Sequence, residues 1–417
     1  MSLFDKASLM LTPSGVKTDK IHSQKPSNGN GDFTFDRNLN TATRVNKDGY
    51  IETVAADVPR LNYPFIDGVV QDSPSLILEP ARTNSVFHSQ EVDNAYWLKS
   101  NCTITANTSI SPDGTLNADT FTTSATSDSV LYKGGITCGS LSFFAKDIDL
   151  SIGKFKISVD NVGSASWNKD GTLNSFSGGT ATNGVDYGNG WFRFVFNVTS
   201  GSFVNYGIAG GIVGENILVF GLQNEPSATY PTSYIPTSGS TVTRSAETAN
   251  AAGTAAEFND SEGVLFAEIA ALADDNTFRA IAISDGGTDN RIVIDFNNSN
   301  LLRGFYSINS SAGGRLITDT NLDIKQVNKI AFKYSSGSFN LWVNGVKIGQ
   351  TSDTNLLPTG TLNTLNFDFG DSVNGDFYGK TKQVAVFKTA LTDSELEALT
   401  SWTSFNEMAT GQEYSIQ

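Results

Sequence analysis

Carboxylates are the first groups in this sequence to test for chemistry, with 43 Asp and Glu against 28 Lys and Arg in 417 residues. Glycoside hydrolysis needs two of them about 5–10 Å apart across one bond. So many acids guarantee pairs by composition alone, so only placement is informative. The nearest approach to an acidic catalytic strand is VIDF around Asp295 and NFDFGD around Asp368 and Asp371. His22 and His88 lie in different segments, and neither has a nucleophile and an acid beside it. Both read as surface or packing histidines. Cys102 and Cys138 are the only cysteines, which excludes a disulfide framework. Two His are also too few for a four-ligand zinc site. The cysteines are expected as buried free thiols, with one late-formed bridge as the alternative.

Oxygen-ligated cations are the next chemistry to test. In DTNLD, Asp319, Asn321 and Asp323 alternate as in a calcium loop. The sixth position is Ile324 rather than Gly, and the twelfth is Ile330 rather than Glu. DSVNGD offers Asp371, Asn374 and Asp376 from one loop. Solvated turn acids are the expectation, and calcium is the only cofactor left open. For sugars, the stacking platforms to consider are Trp342, Tyr306, Phe305, Trp167 and Tyr187, with Asn344 among the nearby amides that bond hydroxyls. Each aromatic is equally at home in a core.

A different set recurs near the start, in FTFDRNLNTATRVNKDGYIETVAADVPRLNYP and SLILEPARTN. Arg37, Arg44, Arg60 and Arg82 are spread over short β-prone runs, with Glu52 and Glu79 between them. Arg forks to carboxylates and carbonyls and stays charged. The set is expected to act as a structural clamp in a module too small to close with apolar groups. Ligand binding or contact with another protein are the lesser readings.

The elements that must position these residues are strands. Thr, Ser and Asn are abundant, and 39 Gly punctuate short alternating runs. In WFRFVFNV, Trp191, Arg193, Val195 and Asn197 alternate with Phe192, Phe194, Phe196 and Val198, as in a sandwich strand. Asn46-Lys47-Asp48-Gly49 and Asn344-Gly345 mark hairpins. LTDSELEALT is the one convincing helix, with Thr392 and Glu395 as a capping box and Leu396 and Leu399 as its apolar stripe. It is expected to pack on a sheet edge.

The predicted fold is all-β: an extended arm and β-hairpin module, then two antiparallel jelly-roll sandwiches. The expected boundaries are 1–30 for the arm, 31–84 for the Arg-rich module and 85–248 for the first sandwich. A linker follows at 249–257, the second sandwich at 258–405 and a tail at 406–417. The formal charge of −15 and pI near 4.5 exclude nucleic acid and anionic membranes as partners, since no basic cluster offsets that field. No basic start and apolar core of a signal peptide opens the chain, so synthesis and folding in the cytoplasm are expected.

Residues Phe35, Arg37, Ala42, Thr43, Arg44, Val45, Pro59, Arg60, Glu79, Pro80, Arg82, Thr83 and Asn84 match a module recurrent in structural proteins of tailed bacteriophages, especially marine ones. MSLFDKASLMLTPSGVK resembles the start of those proteins, and TSYIPTSGSTVTRSAE (232–247) the segment that closes their following sandwich. The departure is Leu61 with a longer joining loop carrying Phe65 and Ile66. Separately, FNLWVNGVKIG and GDFYGKTKQVAVFKTALTDSELEAL resemble a concanavalin A/laminin-G-type jelly roll. The Glu-x-Asp-x-x-Glu pattern of laminarinase-like members is absent from it.

The resemblances imply a virion fibre or spike, non-enzymatic and homotrimeric. It would attach to another virion protein through residues 1–84 and adhere to a host-surface glycan or protein through its distal domain. A capsid decoration or head-fibre protein without a dedicated receptor is the alternative. A glycan-degrading enzyme ranks below both.

Overall fold

The computed structural model describes residues 2–17, 20–317 and 322–412. The all-β class expected from the sequence is what forms: two antiparallel sandwiches, with the N-terminal segment threaded through both. The first sandwich packs a six-stranded sheet (Leu98–Ser100, Ser129–Gly134, Phe203–Ala209, Lys154–Val159, Gly163–Trp167, Leu173–Ser177) against a seven-stranded one built around Asn216–Pro226, Gly139–Asp147 and Trp191–Asn197. Side chains alternate faces along a strand. So Phe194 and Phe196 enter the core with Trp97, Phe121, Phe143, Phe155 and Trp167, while Trp191 and Arg193 face outward. That outer face is not solvated. The hairpin Ala42–Val45/Ile51–Val54 lies over it, and Val45 and Ile51 pack on Phe144, Trp191, Phe220 and Tyr234.

The second sandwich faces a five-stranded sheet against an eight-stranded one. The smaller sheet runs Ser311–Ile317, Leu302–Ile308, Arg291–Phe296, Arg279–Ser284, Thr364–Asn366. Ile281, Ile283, Ile292, Ile294 and Phe296 point into the core. Ala280, Ala282 and Val293, on the opposite face, are also buried. This explains runs such as RIVIDF, which are apolar on both faces because both are covered. Asn344 and Gly345 take φ of 49° and 83°, as the tight hairpin Phe339–Val343/Val346–Thr351 requires.

The N-terminal segment does not form the arm expected over 1–30. Ala7–Leu11 adds antiparallel to the free edge of Gly379–Phe387, with Leu9 opposite Val386 and Leu11 opposite Val384. Ser75–Leu78 takes the rest of the same edge, with Leu76 opposite Thr381, and Arg60–Asn62 pairs outside it. Leu9, Leu11, Ile21, Phe33, Phe35, Leu76 and Leu78 all join the second sandwich's core. An open edge and an apolar face offered a ready partner, and the chain supplied one itself.

The expected linker at 249–257 is likewise built in. Thr248–Asn250 pairs with Thr34–Asp36, and Ala252 exchanges both backbone hydrogen bonds with Leu365 at 3.0 and 2.7 Å. Small side chains concealed this, because the pairing rests on backbone groups. The capped helix forms at Asp393–Thr400 with both capping-box bonds. It lies on the outer face of the eight-stranded sheet rather than at an edge, with Leu396 on Val264, Phe266 and Trp342. A further helix, Phe405–Gln412, occupies most of the expected tail; 413–417 lie outside the described residues.

Candidate functional site

Arg37, Arg60 and Glu79 meet in one buried cluster with Arg244 and Glu247. Arg60 uses its whole fork. Nε donates to Glu247 Oε1 at 2.8 Å, one terminal nitrogen donates to Thr43 O and Ser233 Oγ, and the other donates to Glu79 Oε2 at 2.8 Å and to Glu247 Oε2. Arg37 donates to Glu247 Oε1 at 2.7 Å and to the carbonyls of Val54, Ala55 and Val58. Arg244 donates to Pro80 O and sits 2.8 Å from Glu79 Oε2.

Burial alone would raise the Glu79 carboxyl, but Arg244 and Arg60 overcome it and hold it down at about 2. Burial likewise opposes the Arg60 charge, and the Glu247 and Glu79 carboxylates reverse that and push Arg60 above its ordinary value. Three arginines and two glutamates thus tie residues 37, 60 and 79 to 244 and 247, where the first sandwich ends. Arg244 and Glu247 were present in TVTRSAE, but a sequence cannot show that this segment returns to the module.

The remaining arginines of the set stand apart. Arg44 pairs with Glu52 across the hairpin at 2.7 Å, near the surface. Arg82 lies 3.7 Å from Glu225 and over the Tyr230 ring.

The sugar platforms read from the sequence are not available. Tyr306 is 2% exposed and stacks on Phe339 at 4.4 Å inside the second core. Trp342 is buried beneath the helix Asp393–Thr400. Asn344 spends its amide on the turn, accepting from Lys329 N and Trp402 Nε1 and donating to Asn328 Oδ1. Trp167 is buried in the first core. Tyr187 is half-buried against Phe65 and Phe144. Strands covered on both faces carry no inside–outside alternation, so aromatic type alone could not separate platform from core.

The calcium loop at 371–376 is also committed elsewhere. Asp371 accepts from Val373 N, Asn374 N and Asn374 Nδ2, and Asp376 accepts from Tyr378 Oη at 2.8 Å. Asp319 and Asn321 lie outside the described residues. Among the described residues, no group of three or more His, Cys, Asp or Glu is arranged to hold a metal ion.

What the second sandwich does present is a ladder on the outer face of its five-stranded sheet. Phe278, Arg303, Phe305, Arg291 and Phe369 stack in alternation, each guanidinium carbon 5.0–5.5 Å from its ring centroids. Register places Asp295 opposite Arg303 and Val293 opposite Phe305. Arg303 forks onto Asp295, with Nε to Oδ1 at 2.9 Å, which removes that acid from general acid–base work. Arg291 is half-buried, donates to Phe369 O at 2.8 Å and leaves Nε without a partner. Phe278 is 37% exposed and meets Phe369 edge-on, ring centroids 5.5 Å apart, so the stack closes on itself. Phe305 and Arg303 are buried, so the stack covers this face and only Phe278, Arg291 and Phe369 reach its surface, where they offer ring edges and one guanidinium to an anionic ligand. The sequence signal was Phe at 278, 305 and 369 with Arg at 291 and 303, legible only once register is known.

The family described as the concanavalin A-like lectin/glucanases superfamily, of laminin-G type, matches residues 247–397. A concanavalin A-like/laminin-G-like domain is therefore present there. No curated protein matches the chain. Among solved structures, the CBM40 of a Ruminococcus gnavus IT-sialidase bound to α2,3-sialyllactose is 16% identical. The alignment covers 34% of this chain and 84% of that one at a TM-score of 0.30. Domain 4 of AbnA, a GH43 arabinanase from Geobacillus stearothermophilus, in complex with arabinotriose, is 12% identical over 37% and 73% of the two chains at 0.31. A heptameric SAP-like pentraxin from Limulus polyphemus is 11% identical over 35% and 72% at 0.28.

Proposed function

We propose that this chain is a non-catalytic adhesin of a tailed-phage virion, a homotrimeric fibre or spike that binds host-surface glycan through its lectin-like domain. The observation that carries the glycan reading is the surface of the arginine–phenylalanine stack, Phe278, Arg291 and Phe369, on the outer sheet face of a laminin-G-like domain. The virion reading rests on the ordered motifs of residues 1–84 and 232–247. Exposed Phe4, Leu39, Tyr50 and Val69 in the N-terminal segment supply apolar contact for another virion protein. Weak single contacts multiplied by copy number would give firm adhesion.

The test is binding of the full chain to a panel of bacterial surface polysaccharides, with light scattering for the oligomer. The expected result is retention on acidic glycans and at least a tenfold loss in an Arg291→Met/Phe278→Ala variant that still folds. Equal binding by parent and variant would remove the ladder from the mechanism. A monomer in solution with no glycan retained would favour a decoration protein. New reducing ends would show an enzyme.

A further inference from the structure

Six arginines are buried among the described residues: Arg37, Arg60, Arg193, Arg244, Arg279 and Arg303. Five sit within 4 Å of a carboxylate. Arg193 does not. It is 7% exposed, donates to Ser142 Oγ at 3.0 Å, lies 5.5 Å over the Phe144 ring and leaves Nε with no hydrogen-bond partner. The buried Glu225 acts on it only through space, and a buried charge without a directly paired partner is costly. Here the chain places one on the wall of a cavity.

That cavity, of about 340 Å³, lies where the hairpin module meets the first sandwich and strand Gly379–Phe387. Its volume falls in the lower part of the ~300–1,000 Å³ range of small-ligand sites. Tyr63, Phe65 and Tyr187 form an aromatic side, with Phe65 and Tyr187 ring centroids 5.1 Å apart. Asn62 also lines it. Its Oδ1 accepts from Val45 N at 2.9 Å, which leaves its Nδ2 as the amide's donor group. Lys380 contributes a second cation to the wall. The one acid present, Glu79, is neutralised by Arg60 and Arg244. A cation-lined, donor-rich hollow in a chain of net charge −15 selects for an anion. The aromatic side selects for a ring.

We infer that this cavity binds a carboxylate-bearing monosaccharide unit of the hexuronic acid type. Arg193 takes the carboxylate, Asn62 a ring hydroxyl, and Tyr63, Phe65 and Tyr187 the apolar face of the sugar. The half-exposed Val185 lies at the rim. None of the cavity's residues belongs to the ladder of the lectin-like domain, so the site stands or falls apart from it.

The experiment is saturation-transfer NMR and calorimetric titration of the full chain with glucuronate, galacturonate, glucose and acetate. One uronate is expected to bind in the millimolar range, at least tenfold tighter than glucose or acetate. Arg193→Gln should lose at least tenfold. Asn62→Ala, a milder change, should lose several-fold and guards against a folding defect in the first variant. The Arg291→Met/Phe278→Ala variant should bind the uronate as the parent does. Retention on a polyuronate column as well as monomer binding would identify a polymer unit as the source, and monomer binding alone a free acid; both support the site. Uronates that bind no better than glucose or acetate, or that bind the folded Arg193 and Asn62 variants like the parent, would overturn it.

Discussion

Glu247→Gln is the sharpest perturbation of the buried arginine cluster. The Glu247 carboxylate accepts four hydrogen bonds, from Arg37, Arg60 twice, and the Glu79 backbone N–H. Gln keeps the shape, removes one of the cluster's two negative charges and turns one acceptor oxygen into a donor facing donors. Removing one partner of a buried pair costs about 3–5 kcal/mol, because the remaining charge stays buried. Unfolding entropy of about 2.1 cal/mol/K per residue, over 417 residues, is ~0.9 kcal/mol/K if the chain melts as one unit. The expected drop in Tm is therefore about 3–6 °C, read by calorimetry. A second arm adds Arg60→Met. The double variant should lose less than the two single losses combined, since each single change strands a charge that the double removes. A Glu247→Gln protein melting within about 1 °C of the parent would refute the clamp, as would strictly additive losses.

Four further outcomes follow from the same coordinates. Asp368 is fully buried with Oδ2 unpartnered, and burial pushes its carboxyl up to about 6. The folded state then holds a proton that the unfolded state releases near pH 4, so stability falls as pH rises through about 4–6. Asp368→Asn should flatten the denaturation midpoint across that window, and an unchanged slope would refute it. Glu79 is shifted the other way: its folded value of about 2 means its contribution is present above about pH 4.3 and is lost as pH falls towards 2. Glu79→Gln should therefore lose stability at pH 7 and little near pH 2 by urea titration. Burial pushes both Cys102 and Cys138 thiols up to about 11, and neither is bridged. A thiol reagent should label neither at pH 8 in the native protein and both in urea. Deleting residues 2–84 removes seven core side chains of the second sandwich and bares the edge of Gly379–Phe387. The product should aggregate, and a soluble, cooperatively melting fragment would contradict the pairing.

The strands, both hairpin turns and the helix cap were legible because they depend on neighbours in sequence. Gly49 and Gly345 take the positive φ their turns need, and Thr392 and Glu395 cap as their spacing predicts. What hid was long-range. Ala7–Leu11 looks like any short apolar run, and only the open edge near residue 386 gives it a place. The 249–257 stretch looks like a linker because Ala, Thr and Gly bury little area, yet Ala249 and Ala252 are fully buried. Tyr306 and Trp342 share composition with surface platforms and differ from them only in what lies overhead. Arg193 read in WFRFVFNV only as one member of an alternating strand face, and its burial without a directly paired carboxylate is a property of three dimensions.

The cluster's chemistry also says why arginine, rather than leucine, closes this chain. The strands meeting there are only three or four residues long, and irregular backbone between them leaves carbonyls at Val54, Ala55, Val58 and Pro80 needing donors. An apolar plug would strand those acceptors, each at a cost of about 1–3 kcal/mol. A guanidinium supplies five donors in a fixed plane. Buried ion pairs add little net stability over apolar packing, so what the forks contribute is direction. Direction matters here because the cluster spans from residue 37 to residue 247 and joins the module to the start of the second sandwich. The Arg193 cavity borders that junction through Glu79 and Ser233, and the Arg291–Arg303 stack belongs to the second sandwich. If the joint were loose, each would bind alone at its own weak affinity. Held in fixed relation, the two proposed sites would engage one acidic polymer together, and the second contact would form at the effective concentration set by the first.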